Sequence, residues 1–138
     1  MPLEQLIAES DFISLHLPAT AETRHMINDA SIARMKPGVI IINTARGPLI
    51  DEPALIRGLQ SGKIRGAGLD VFETEPLPLS SPLIGMPNVM LAGHVAGLDN
   101  ESHDATWALA AEIILRLLRG EWPAECIQNL KGTSGWTW

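Results

Sequence analysis

Four short apolar runs constrain this chain more than any other feature: Phe12 to Leu17, Val39 to Asn43, Ile64 to Val71 and Val89 to Ala92. Each is rich in Val, Ile, Leu or Ala and bounded by Gly, Pro or Asp, which is how the buried strands of a parallel sheet read. Helix signals fall between them. Residues 2–9 carry Leu3, Leu6 and Ile7 on one helical face. Asn28 or Asp29 can cap a short helix through Met35, before the Lys36-Pro37-Gly38 break. Asp51 with Pro53 opens another helix, whose stripe of Leu55, Ile56 and Leu59 runs to Gly62. The longest helix is expected from about Asn100 to Arg119, with Trp107, Ala110, Ala111, Ile114, Leu117 and Leu118 apolar and Gly120 as its stop. Strands alternating with helices make an α/β fold with a parallel sheet.

Three of these runs are each followed closely by a polar residue able to do chemistry. Arg46 follows Val39-Ile40-Ile41-Ile42-Asn43, Glu75 follows Leu69-Asp70-Val71-Phe72, and His94 follows Val89-Met90-Leu91-Ala92. Ligands of open α/β sheets bind beyond the carboxyl ends of the strands. A guanidinium, a carboxylate and an imidazole at three such ends can meet over one cleft. Arg grips a carboxylate with two parallel hydrogen bonds, His moves protons near neutral pH, and a carboxylate orients that His and stabilises its charged form.

The 138 residues are 46% hydrophobic and 19% charged, which suits one globular domain with a real core. A net charge of −6, with no block of basic residues, argues against a nucleic-acid surface. No apolar run approaches the length of a membrane span. The acidic first ten residues lack the basic start of a signal peptide. The single Cys126 rules out an internal disulfide and any Cys-rich metal site, and fits a reducing cytoplasm.

The segments Asp11 to Pro18, Met35 to Asp51, Gly66 to Pro76 and His94-Val95-Ala96-Gly97 resemble the D-isomer-specific 2-hydroxyacid dehydrogenases. The likeness spans about residues 3–130. It implies a partial Rossmann-type, doubly wound parallel sheet and an NAD-dependent oxidoreductase acting on a small D-2-hydroxy acid or the matching 2-keto acid. By this resemblance Arg46 grips the substrate, His94 is the acid-base residue, and Glu75 is its carboxylate partner. Leu17, Pro18, Thr44, Ala45, Arg46, Asp70, His94 and Gly97 fall where the family touches NAD, with Asp70 facing the nicotinamide carboxamide. No metal is implied. Gly93 stands where many members carry Pro.

The family's G-x-G-x-x-G turn is missing from these residues; Gly66-Ala67-Gly68 lies inside a strand run and lacks the third glycine. No acidic residue follows such a turn to hold an adenosine ribose. The chain therefore corresponds to the carboxy-terminal part of the NAD-binding domain over 1–120, with 121–138 returning towards a substrate domain. Two readings stand: a dehydrogenase chain bearing the catalytic residues, or a non-catalytic half-domain that acts as an interaction module. A homodimer, or association through the open sheet edge at Phe12 to Leu17, is expected of either. The remaining candidates read as structural. His16 belongs to a strand or a cofactor shelf, His25 and His103 to the surface, and Asp51 to a helix cap. Cys126 is inert, and the Trp107 stripe is core or subunit interface. Trp122, Trp136 and Trp138 would pack on a substrate domain.

Overall fold

A computed structural model of the chain describes residues 1–126. It contains two compact units, Met1–Ala96 and Gly97–Trp138. In the first unit, helix α1 (Leu3–Glu9) leads into strand β1 (Phe12–Leu15). Helix α2 (Asp29–Arg34), strand β2 (Val39–Asn43), helix α3 (Glu52–Gln60), strand β3 (Ile64–Leu69) and strand β4 (Val89–Leu91) follow. The four strands are all parallel, in the order β1-β2-β3-β4.

The helices start where the sequence places caps. Asn28 and Ser31 form a reciprocal capping box at α2, and the Asp51 carboxylate accepts the Ala54 N–H at α3. Sequential parallel crossovers in one direction put the connecting helices on one face. That face is dry. Ile13, Leu15, Val39, Ile41, Ala67 and Leu69 from the strands share one core with Ile32 of α2 and Leu55 and Leu59 of α3. Each such side chain contributes roughly 1.5–3 kcal/mol relative to exposure. The opposite face alternates as a strand must: Phe12 and Met90 are exposed, and Ile40 and Ile42 are half-buried.

Several expectations are trimmed. Strand β1 stops at Leu15 rather than Leu17, and β3 at Leu69 rather than Val71. In α1 only Ile7 is buried; Leu3 and Leu6 are exposed. Gly66 is the strand glycine with a tight approach, since a Cβ there would lie 3.1 Å from the Asn88 carbonyl oxygen, whereas Gly68 has ordinary room.

The second unit holds helix α4 (Asn100–Leu118), which Asp99 caps through the Ser102 N–H and hydroxyl. Its C-cap is Arg119, and Gly120 follows at φ +76°. No residue of α4 is buried, so its Trp107 stripe is not a core within this unit. Arg116 pairs with Glu121 and Glu125 beyond the helix end, and His103 packs edge-on against Trp107. A short 3₁₀ turn, Ala124–Cys126, ends the described chain. Trp136 and Trp138 lie outside the described residues.

Candidate active site at the strand ends

The carboxyl end of the sheet carries the site, beginning with a buried polar residue. Asn43 ends β2 almost fully buried. Its amide nitrogen donates to the Arg46 carbonyl at 2.9 Å, and its amide oxygen accepts the Ala45 N–H at 3.1 Å. The turn that presents Arg46 is thereby pinned to the strand. Gly47 follows at a point where only hydrogen fits: a Cβ would lie 1.8 Å from the Phe72 carbonyl oxygen. The Arg46 turn thus lies directly on the β3–β4 loop that bears Glu75.

Glu75 precedes a cis Glu75–Pro76 peptide. One carboxylate oxygen accepts the Phe72 N–H at 3.0 Å, and the other lies 2.9 Å from Nδ1 of His94. The hydrogen bond with His94 comes first among the causes that hold the Glu75 carboxyl below its ordinary value. The Phe72 N–H and the charges of His94 and Arg46 add to it and outweigh partial burial. Glu75 and His94 therefore meet, and the Arg46 charge is felt at Glu75, while the Arg46 guanidinium donates to the Ala45 carbonyl at 2.6 Å. The Nδ1 contact leaves Nε2 of His94 for a substrate.

His94 adopts φ +60°, a left-handed conformation costing a non-glycine residue about 1–2 kcal/mol. Asp70 holds it there. Its carboxylate oxygens accept the N–H groups of Val95 and Ala96, each at 2.8 Å. Burial pushes the Asp70 carboxyl upward, but those two N–H bonds and the His94 charge overcome this and hold it low. Asp70 is thus engaged in positioning the His94 turn, and only the remaining lone pairs of its carboxylate can face a carboxamide.

Two open cavities border these groups. One of about 580 Å³ is lined by Asp70, Phe72, Glu75, Leu77, Leu91 and His94. The other, about 710 Å³, is lined by His16, Leu17, Pro18, Thr44, Ala45 and Arg46. The second gathers most of the residues expected at the nicotinamide half of a dinucleotide, and its apolar Leu17, Pro18 and Ala45 suit a flat ring. His16 joins this wall and lies 2.7 Å from the Ser14 hydroxyl. Gly97 begins the second unit. Among the described residues no cluster of His, Cys, Asp and Glu comes together to hold a metal ion, and no helix is long and apolar enough to cross a membrane.

Three further residues, Asn43, Gly47 and His25, pack around the site beyond those the sequence predicts. Asn43 carries a signal, a polar residue closing an apolar run. Gly47 and His25 carry none, because their partners, at Phe72 and Glu73, are far along the chain.

The profile described as "D-isomer specific 2-hydroxyacid dehydrogenase, NAD binding domain" matches residues 1–96, and the chain belongs to that family. It is 46% identical over 129 residues to a glyoxylate reductase of Korarchaeum cryptofilum, covering 94% of this chain and 39% of that protein. It is also 46% identical over 125 residues to a glyoxylate/hydroxypyruvate reductase B of Serratia proteamaculans, covering 91% of this chain and 38% of that protein. A crystal structure of a D-isomer specific 2-hydroxyacid dehydrogenase from Xanthobacter autotrophicus Py2, in complex with NADPH and MES, superposes with a TM-score of 0.75. It is 42% identical, over 87% of this chain and 49% of that one. The chain thus spans about two fifths of the length of the curated relatives it matches.

Proposed function

We propose that the cleft serves the reduction of a small 2-keto acid to its D-2-hydroxy acid, and the reverse, with NAD(H) as cofactor. The observation that carries this reading is the Glu75–His94 pair at 2.9 Å, with the Arg46 charge acting on the same carboxylate. Glyoxylate and hydroxypyruvate are the substrates named for the relatives above, and they are proposed here as the substrate class.

NADH, when bound, supplies the hydride that adds to C2. Arg46 binds the substrate carboxylate and polarises the C2 oxygen, a task suited to a guanidinium that stays charged and forks onto two oxygens. His94 delivers a proton from Nε2 to that oxygen, and in the reverse direction takes it back. Glu75 fixes the ring by its contact to Nδ1. Leu17, Pro18, Thr44 and Ala45 form the nicotinamide wall, with Arg46, Asp70 and His94 completing the contacts. Pyrophosphate docking rests on a glycine turn at a helix N-terminus. These 138 residues contain none, so they fit the nicotinamide half of the cofactor only. Residues 1–120 are read as the carboxy-terminal part of the NAD-binding domain and 121–138 as the return to a substrate domain. The lone Cys126 favours a reducing cytoplasm as the setting.

The test takes the open reading frame that contains these residues and follows NADH oxidation with glyoxylate, hydroxypyruvate and pyruvate. Turnover is expected, with His94→Ala lowering kcat about 10²–10⁴-fold and leaving NADH binding intact. No turnover with any 2-keto acid, or a His94→Ala enzyme keeping more than half the parent rate, would overturn the assignment. A second reading, a non-catalytic module that associates through its sheet, is favoured by the exposed Phe12 on edge strand β1.

A further inference from the structure

We infer that His25, Glu73 and Glu52 form a latch that holds the Arg46 turn against the Glu75 loop, so that His25 is a positioning residue for the reaction proposed above, on which this role in turnover rests. Nε2 of His25 lies 2.6 Å from one Glu73 carboxylate oxygen. A carboxylate only accepts, so the imidazole donates. The other Glu73 oxygen accepts the Glu52 N–H at the first turn of α3, at 3.2 Å. The Glu73 N–H in turn donates to the Glu52 carboxylate at 2.6 Å. One side chain therefore ties together three segments: the loop before α2, the start of α3 and the loop that ends in Glu75.

The Arg46 turn lies between the tied pieces. The His25 N–H donates to the Pro48 carbonyl at 2.8 Å, and Ile27 and Leu49 pair in the same way at 3.1 Å. On its other side Gly47 meets the Phe72 carbonyl too closely for any Cβ. Three residues after Phe72, Glu75 engages His94. A shift of Glu73 is thus a shift of the carboxylate two residues on, relative to the Arg46 turn. His25 also adopts φ +52°, and among the described residues it shares such a backbone only with His94 and glycines. A left-handed non-glycine backbone persists where its surroundings hold it, and such positions concentrate at functional sites. Arg24 reaches the same Glu73 oxygen at 3.8 Å. Burial, and then the nearby Glu73 charge, raise the Glu52 carboxyl against the lowering effect of the Glu73 N–H.

The test separates the latch from the activity. On the 138-residue chain, hydrogen exchange is followed by mass spectrometry in peptides spanning 44–51 and 71–76, with strands 39–43 and 64–69 as internal references. His25→Ala and Glu73→Ala are each expected to speed exchange in both loop peptides about tenfold, the scale of a lost charge-assisted hydrogen bond, with the references unchanged. His25→Gln carries a donor at the same reach and the same backbone strain as alanine, so it should restore protection. In the open reading frame the same two alanine variants should lower kcat/KM for the 2-keto acid about ten- to a hundredfold, chiefly through KM, since Arg46 is displaced. KM for NADH should stay unchanged, and His25→Gln should recover the loss. Loop exchange unchanged in both alanine variants, or references loosened equally, would overturn the latch. A parent enzyme without turnover would refute the dehydrogenase reading and leave the exchange result to judge the latch. Intact KM in an active enzyme with loosened loops would remove His25 from substrate positioning.

Discussion

Asp70→Asn replaces a carboxylate by an amide of the same shape at a residue 5% exposed. In the wild type both oxygens accept backbone N–H groups at 2.8 Å. An amide offers one oxygen and one NH₂, so one of those bonds becomes a donor facing a donor. Hydrogen bonds to charged groups contribute about 1.5–3 kcal/mol, and a neutral one about 1. Losing one and weakening the other gives a destabilisation of about 2–4 kcal/mol at pH 7. The sign of its pH dependence follows from the Asp70 carboxyl being held below its ordinary value in the fold. The stabilisation is complete above the unfolded value of about 3.9 and is lost as pH falls through the lower folded value. Urea unfolding at pH 7 and pH 2 measures both. The gap between wild type and variant should be about 2–4 kcal/mol at pH 7 and should be smaller at pH 2. A variant within about 0.5 kcal/mol of wild type at pH 7, or a gap unchanged at low pH, would refute the role of Asp70 as the clamp of the His94 turn.

Glu75→Gln removes a carboxylate that His94 holds in its charged form. The substitution should lower kcat for reduction about tenfold or more, because the ring loses its charged orienting partner, and an unchanged kcat in stopped-flow assays would mean the two side chains do not cooperate. Gly47→Ala would press a methyl into the Phe72 carbonyl and should destabilise by about 3 kcal/mol or more; a thermal midpoint equal to wild type would refute that packing. The 138-residue chain alone should sediment as an associated species and show no 2-keto acid reduction, because Phe12 and Met90 are exposed on the open sheet face and a strand edge invites pairing. Phe12→Lys should favour the monomer, and a monomeric parent that binds NADH at micromolar concentration would count against both parts.

The strands and the placement of Arg46, Glu75 and His94 at their ends were legible, because β-branched runs and their breakers are local signals. The caps Asn28 and Asp51 were legible for the same reason. Strand lengths were less so. The run from Phe12 predicts a strand reaching Leu17, yet the ladder ends at Leu15, and His16 turns its ring back to the Ser14 hydroxyl. In α4 the periodic stripe led to the expectation of burial. That helix, however, is capped by its own neighbours, Asp99 and Gly120, and such signals form a helix without saying what covers it.

His25 and His94 show where local reading stops. Both are non-glycine residues with positive φ, and each holds a carboxylate from a segment of three residues, Glu73 and Glu75. His94 was recognisable because a strand run delivers it and small residues flank it. His25 sits in a polar loop 48 positions before its partner, a distance at which pattern carries no information. Strand ends alone place loop side chains too coarsely for the proposed acid-base pair and arginine to share one substrate. Finer placement falls to contacts between loops: the missing Cβ of Gly47, the Asp70 clamp and the Glu73 bonds. These contacts are long-range by necessity. Each joins the ends of different strands, and in a parallel sheet those ends are separated by a whole crossover.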